Sequence, residues 1–156
     1  MTARLWEAVS VVSRADIIVE ARSWIGTPYA HQASLKGVGC DCLGLVRGVW
    51  RAVYGEEPEQ PPAYSRDWAE AHARETLAEA AGRHMIAVPT DKIRPGDVLL
   101  FAMKENSPAK HCAILTAPGR MLHSIEAHPV AEVSLWTGSG SRQRLRFAFS
   151  FPFLAD

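Results

Sequence analysis

The pattern that most restricts the possible fold is a change of hydrophobic period at about His84. Before it, apolar residues recur at three-and-four spacing. After it come short β-rich runs, DVLLFAM, HCAILT, RMLHSI, AEVSLW and RLRFAFSF, parted by turn signals such as RPG, APGR and TGSGS. Helices first and strands afterwards predict an α+β domain, with N-terminal helices packed on a C-terminal antiparallel β-sheet. At 156 residues and 47% hydrophobic, the chain can bury one sizeable core and is short for two, so a single domain over residues 1–156 is expected.

Three helices are expected. The first starts at Ser13, an N-cap with Asp16 three residues on, carries Ile17, Ile18, Ala21 and Trp24 on one stripe, and stops at Gly26-Thr27-Pro28. The second starts at Cys42 and runs through Leu43, Val46, Val49, Trp50 and Val53 to Gly55. The segment between them, AHQASLKGVG, reads as a loop, and EEPEQPPAYS as a proline-rich surface loop. The third helix is expected from Ser65, as cap, to about Ala81.

Charge excludes some classes of function. Lysine plus arginine and aspartate plus glutamate number 17 each, so no net field draws the chain to nucleic acid or an anionic surface. No stretch approaches the roughly 20 apolar residues of a membrane span. The first residues lack an uninterrupted apolar run and a small-residue cleavage site, which predicts synthesis as a soluble cytoplasmic protein without a secretory signal. Three cysteines, Cys40, Cys42 and Cys112, do not make a disulfide framework and are expected reduced.

GVGCDCLGLVRGVW sets two thiols one residue apart at the start of the second helix. A thiol facing unpaired amides and the positive end of a helix dipole loses its proton more readily, and the same amides can stabilise an oxyanion. Cys42 holds that position, Cys40 precedes it in a glycine-flanked loop, and the competing reading is two small core hydrophobes. A zinc site could draw on His31, Cys40, Cys42 and His111, but the cysteine spacing is too short for a paired zinc motif and no second pair exists.

A cysteine nucleophile needs a base. His72, His84 and His128 read as solvated, and His31 suits either a site wall or an exposed loop. His111 and His123 lie in adjacent predicted strands joined at Pro118-Gly119. If Thr116 pairs with Arg120, the two imidazoles share a face. If Ala117 pairs with Arg120, they point to opposite faces unless a bulge intervenes. Cys112, next to His111, faces the other way and reads as core.

WIGTPYAHQASLKGVGCDCLGLVRGVW, RPGDVLLF, HCAIL and RMLHS, in this order and at these separations, resemble the NlpC family of papain-like cysteine peptidases that cleave bacterial cell-wall peptides. The resemblance implies Cys42 as nucleophile, His111 as general base and His123 as the residue that orients it. It further implies Tyr29 lining the site, Asp41 holding the free amine of a stem peptide, and no metal or cofactor. The implied reaction is hydrolysis of the bond between D-glutamate and the diamino acid in peptidoglycan stems.

Two places depart from the pattern: Leu43 stands where the family has serine, and HQA stands where a glycine pair often follows the tyrosine. This version is similar to the subgroup of bacteriophages and gene transfer agents, which implies carriage on a phage-like tail, tail or baseplate partners, and action on the wall during DNA delivery. Other expectations from the same residues are an amidase or acyltransferase using the same triad, or a catalytically silent tail module.

Overall fold

The computed structural model describes residues 11–65, 73–136 and 144–156. Helix α1 (Arg14–Arg22) begins with the expected capping box, in which the Ser13 hydroxyl accepts from the Asp16 N–H and the Asp16 carboxylate accepts from the Ser13 N–H. Strands β1 (Ser34–Leu35) and β2 (Gly39–Cys40) form a short antiparallel ladder within the segment expected to be loop. Helix α2 (Cys42–Tyr54) follows, capped by the Asp41 side chain, and closes at Gly55 with φ of 92°.

Helix α3 (Thr76–His84) corrects the expected third helix. Ser65 is irregular backbone and does not cap it, residues 66–72 of the expected span lie outside the described residues, and Ala73–Glu75 precede the helix, with Glu75 at the N-cap position. The sequence from Glu56 to Ser65 is also not a simple surface loop, since Glu57 and Tyr64 are half-buried.

Strands β3 (Ile86–Val88), β4 (Val98–Ala102), β5 (Ala109–Ala117), β6 (Arg120–His123), β7 (Ala131–Ser134) and β8 (Leu145–Ser150) form one antiparallel sheet in the order β3-β8-β4-β5-β6-β7. The α+β prediction therefore holds, with one added strand, β3, at the edge. Alternation divides the sheet's side chains into two layers. Val98, Leu100, Cys112, Ile114 and Leu122 pack with Ile17, Leu45 and Val49 of the helices, while Leu99, Phe101, Ala113, Leu115 and Met121 form a second cluster.

The first layer is tight. A Cβ on Gly48 would lie 2.0 Å from the ring of Trp24, so glycine is what lets α2 approach the buried indole that follows α1. Among the described residues, no helix is long and apolar enough to cross a membrane.

Candidate active site

The hairpin β5–β6 settles how the histidines are aimed. Ala117 pairs with Arg120 around Pro118 and a left-handed Gly119, with φ of 72°, which alone would split the imidazoles across the sheet. A bulge corrects it: Leu115 pairs with Met121 and Ile114 with Leu122, leaving Thr116 as the extra residue. The extra residue returns His111 and His123 to one face, where His111 Nε2 lies 3.0 Å from His123 Nδ1.

A second irregularity lies between β4 and β5. Phe101 pairs with His111 and Ala102 with Ala109, so Lys110 is the extra residue there. The nucleophile candidate meets the strand at that point, with Cys42 Sγ 3.9 Å from the Lys110 carbonyl oxygen. Cys42 is the first residue of α2, and it lines a cleft of about 240 Å³ together with Tyr29, His31, Asp41, Tyr64 and His111. All but one of the expected site residues thus line one cleft, and His123 stands behind His111.

The protons in this arrangement follow from environment. Burial, then the neighbouring His111 charge, pushes His123 down to about 4. At neutral pH His123 is therefore uncharged, and its Nδ1 shares a hydrogen bond with His111 Nε2. This leaves His111 Nδ1 as the nitrogen that can exchange a proton in the cleft.

The Cys42 thiol is held well below its ordinary value. The Cys112 side chain contributes most as hydrogen-bond partner, burial opposes it, and His111 adds a hydrogen bond and its charge. Cys112 moves in the opposite direction, chiefly through the same contact, so Cys42 ionises and Cys112 keeps its proton.

A thiolate at a helix start, beside an imidazole oriented by a second one, is the constellation of papain-like catalysis. Residues 26–148 match the model of the NlpC/P60 family. The chain belongs to the NlpC/P60 family. A gamma-DL-glutamyl hydrolase of Bacillus subtilis (strain 168) is 27% identical over 128 residues, covering 82% of this chain and 27% of that protein. A gamma-D-glutamyl-L-lysine dipeptidyl-peptidase of the same organism is 30% identical over 110 residues, covering 70% of this chain and 31% of that protein. The chain spans under a third of the length of these curated relatives.

Among solved structures, the NlpC/p60 domain of the peptidoglycan hydrolase SagA superposes with a TM-score of 0.63 at 24% identity, covering 90% of this chain and 100% of that one. An NlpC/P60 family protein from Bacillus cereus gives 0.66 at 21% identity, covering 90% and 41%. At such identities the likeness shows the fold, which is the papain-like one expected.

The rest of this NlpC/P60 site rests on Asp41. Its carboxylate caps α2 by accepting from the Gly44 N–H at 2.7 Å. It also accepts from the Gln32 N–H at 2.7 Å and from the Tyr64 hydroxyl. Gln32 adopts a left-handed φ of 62°, a strained conformation for a non-glycine residue.

Tyr64 was not legible as a site residue, since an aromatic at the end of a proline-rich segment carries no functional signal. Cys40 is core: it is fully buried, its thiol is pushed up to about 11 by burial, and its carbonyl accepts from the Ser124 hydroxyl. Cys112 is buried as expected, yet its thiol is raised chiefly by Cys42, an influence the alternation of β5 alone did not show. Leu43 lines a separate apolar cavity of about 210 Å³ with Val46, Leu77, Leu100 and Cys112.

Proposed function

We propose that this domain is a cell-wall hydrolase, a cysteine endopeptidase that cleaves stem-peptide amide bonds in peptidoglycan, between D-glutamate and the diamino acid. The observation that carries the reading is the shared cleft of Cys42 and His111, with His111 Nε2 held by His123 at 3.0 Å. The choice of bond is supported by the printed name of one relative, a gamma-D-glutamyl-L-lysine dipeptidyl-peptidase.

In this reading the Cys42 thiolate attacks the amide carbonyl carbon. The Cys42 N–H in the first turn of α2 supports the oxyanion, and His111 gives its Nδ1 proton to the departing amine. Water, deprotonated by His111, then attacks the thioester, and collapse of the intermediate releases the carboxylate and regenerates the Cys42 thiolate. His123 keeps the imidazole aimed through both steps, and Tyr29 and Asp41 flank the acyl side of the bond. The phage-like features of the stretch from His31 to Trp50 support carriage on a phage or gene transfer agent tail, with tail or baseplate proteins as partners and the wall as the place of action.

The test is mass spectrometry of fragments released from purified peptidoglycan by the wild type and by Cys42→Ala. New free amines on the diamino acid, absent with Cys42→Ala, are expected. Release at the sugar-to-alanine link would replace the reading with an amidase. Identical profiles from the two proteins would leave a silent module.

A further inference from the structure

The carboxylate of Asp41 is only 4% exposed, and its acceptor capacity is nearly used up. Both lone-pair positions of Oδ2 are taken, by the Gln32 N–H and the Tyr64 hydroxyl, while Oδ1 accepts from the Gly44 N–H at the start of α2. Among the described residues, the ion-pair partner within reach of Asp41 is His31, whose Nδ1 lies 4.0 Å from Oδ2.

The phenol is not loosely placed. The Tyr64 backbone carbonyl accepts from His31 Nε2 at 2.9 Å and from Gln32 Nε2 at 2.5 Å. Upstream, Glu57 is paired with Arg47 at 2.5 Å and Arg51 at 3.1 Å, and Glu59 with Arg83 at 2.6 Å and His84 at 2.7 Å. Residues 57–64 therefore form a strap pinned to α2, α3 and the turn at His31. Burial and the Asp41 charge push the Tyr64 hydroxyl well up, so it remains a donor at any working pH. The side chain after the nucleophile adds nothing polar, because Leu43 faces the apolar cavity.

We infer that the Tyr64 strap closes the Asp41 subsite to an ammonium group, so that the domain selects stem peptides whose terminal L-alanine nitrogen is acylated, as in strands still joined to glycan. This rests on the proposed peptidase reading. At pH 7 a free α-amino group is an ammonium with donors only. Seating it on Oδ2 would require displacing the Tyr64 hydroxyl and forfeiting its hydrogen bond to the carboxylate. An acylated nitrogen is neutral, brings a carbonyl acceptor of its own, and needs no carboxylate.

The experiment compares hydrolysis of L-Ala-γ-D-Glu-diamino acid-D-Ala with a free N-terminus and with an N-acetyl group, by wild type and Tyr64→Phe. The wild type is expected to favour the acetylated peptide by about tenfold or more in kcat/KM, the scale of one forfeited charged hydrogen bond. Tyr64→Phe keeps the ring and frees one carboxylate position, so it should shift the ratio toward the free amine by about tenfold, chiefly through that peptide's KM. Calorimetric titration of both peptides into Cys42→Ala reads the same preference without turnover.

A wild type that prefers the free amine, or a ratio untouched by Tyr64→Phe, overturns the inference and leaves the peptidase reading standing. Failure to cleave or bind either peptide overturns both.

Discussion

At the scale of single residues, the low value of the proposed nucleophile, Cys42, traces first to a neighbour outside the proposed triad. Cys112 lies in the buried layer of β5, in the cluster that Cys42 packs against, and its side chain is the largest influence holding the Cys42 thiol down. A thiolate accepts a hydrogen bond from such a neighbour and a neutral thiol gains less from it, so its removal favours protonation and moves thiolate chemistry to higher pH. Cys112→Ala should shift the pH profile of Cys42 alkylation by iodoacetamide upward and slow the reaction at pH 6 by about tenfold, the worth of one hydrogen bond to a charged group. Rates followed from pH 5 to pH 9 check this, and an unmoved profile would assign the effect to His111 and the helix start alone. The same logic explains the separation of the two thiols in the CDC stretch. Cys40 has burial without a donor to its sulfur that outweighs it, and its thiol is raised, not lowered.

At the scale of elements, the site depends on one inserted residue. Without Thr116 in the β5–β6 ladder, the Pro118-Gly119 turn would place His111 and His123 on opposite faces. Deletion of Thr116 should therefore retain a β-rich circular dichroism spectrum while lowering hydrolysis by about 10³-fold, as expected when a base loses its orienting partner. Activity within a few-fold of wild type would show that the hairpin re-registers.

The same hairpin marks the limit of what local sequence discloses. The capping box at Ser13 and Asp16, the start of α2 at Cys42 and the strands from Val98 onward follow from spacing and turn chemistry within a few residues, and all were legible. The choice between the two registers was not, because a bulge at Thr116 has no composition of its own. Nor was the strap, since Tyr64 meets Asp41 across 23 positions and its anchors Glu57 and Glu59 look like solvated charges until α3 is in place. The exposed edge strand β3 and the late start of α3 escaped for a related reason: Ile86 and Ala87 are exposed, so their pairing with β8 leaves no hydrophobic alternation to read.

At the scale of the molecule, the GD pair ahead of β4 is structural. Asp97 is fully buried and accepts from Arg14 Nη1 at 2.7 Å, the Ser150 hydroxyl at 2.9 Å and the Arg94 N–H at 2.8 Å. One carboxylate thus ties the start of α1 to β4 and the end of β8. Breaking such a buried pair from one side leaves the partner charge uncompensated. Asp97→Asn should lower stability by about 3 kcal/mol, or roughly 10 °C in melting temperature for a domain of this size. Thermal unfolding monitored by circular dichroism measures it, and a fall under ~2 °C would show that Arg14 finds a replacement acceptor.

The two halves of the candidate site come from distant parts of the chain: Cys42 and the Lys110 carbonyl beside it are 68 positions apart. Until the sheet closes on α2, the sulfur has neither Cys112 nor His111 and is an ordinary, sluggish thiol. Folding is therefore the arming step, and a nascent or stretched chain lacks the lowered thiol that the proposed reaction needs.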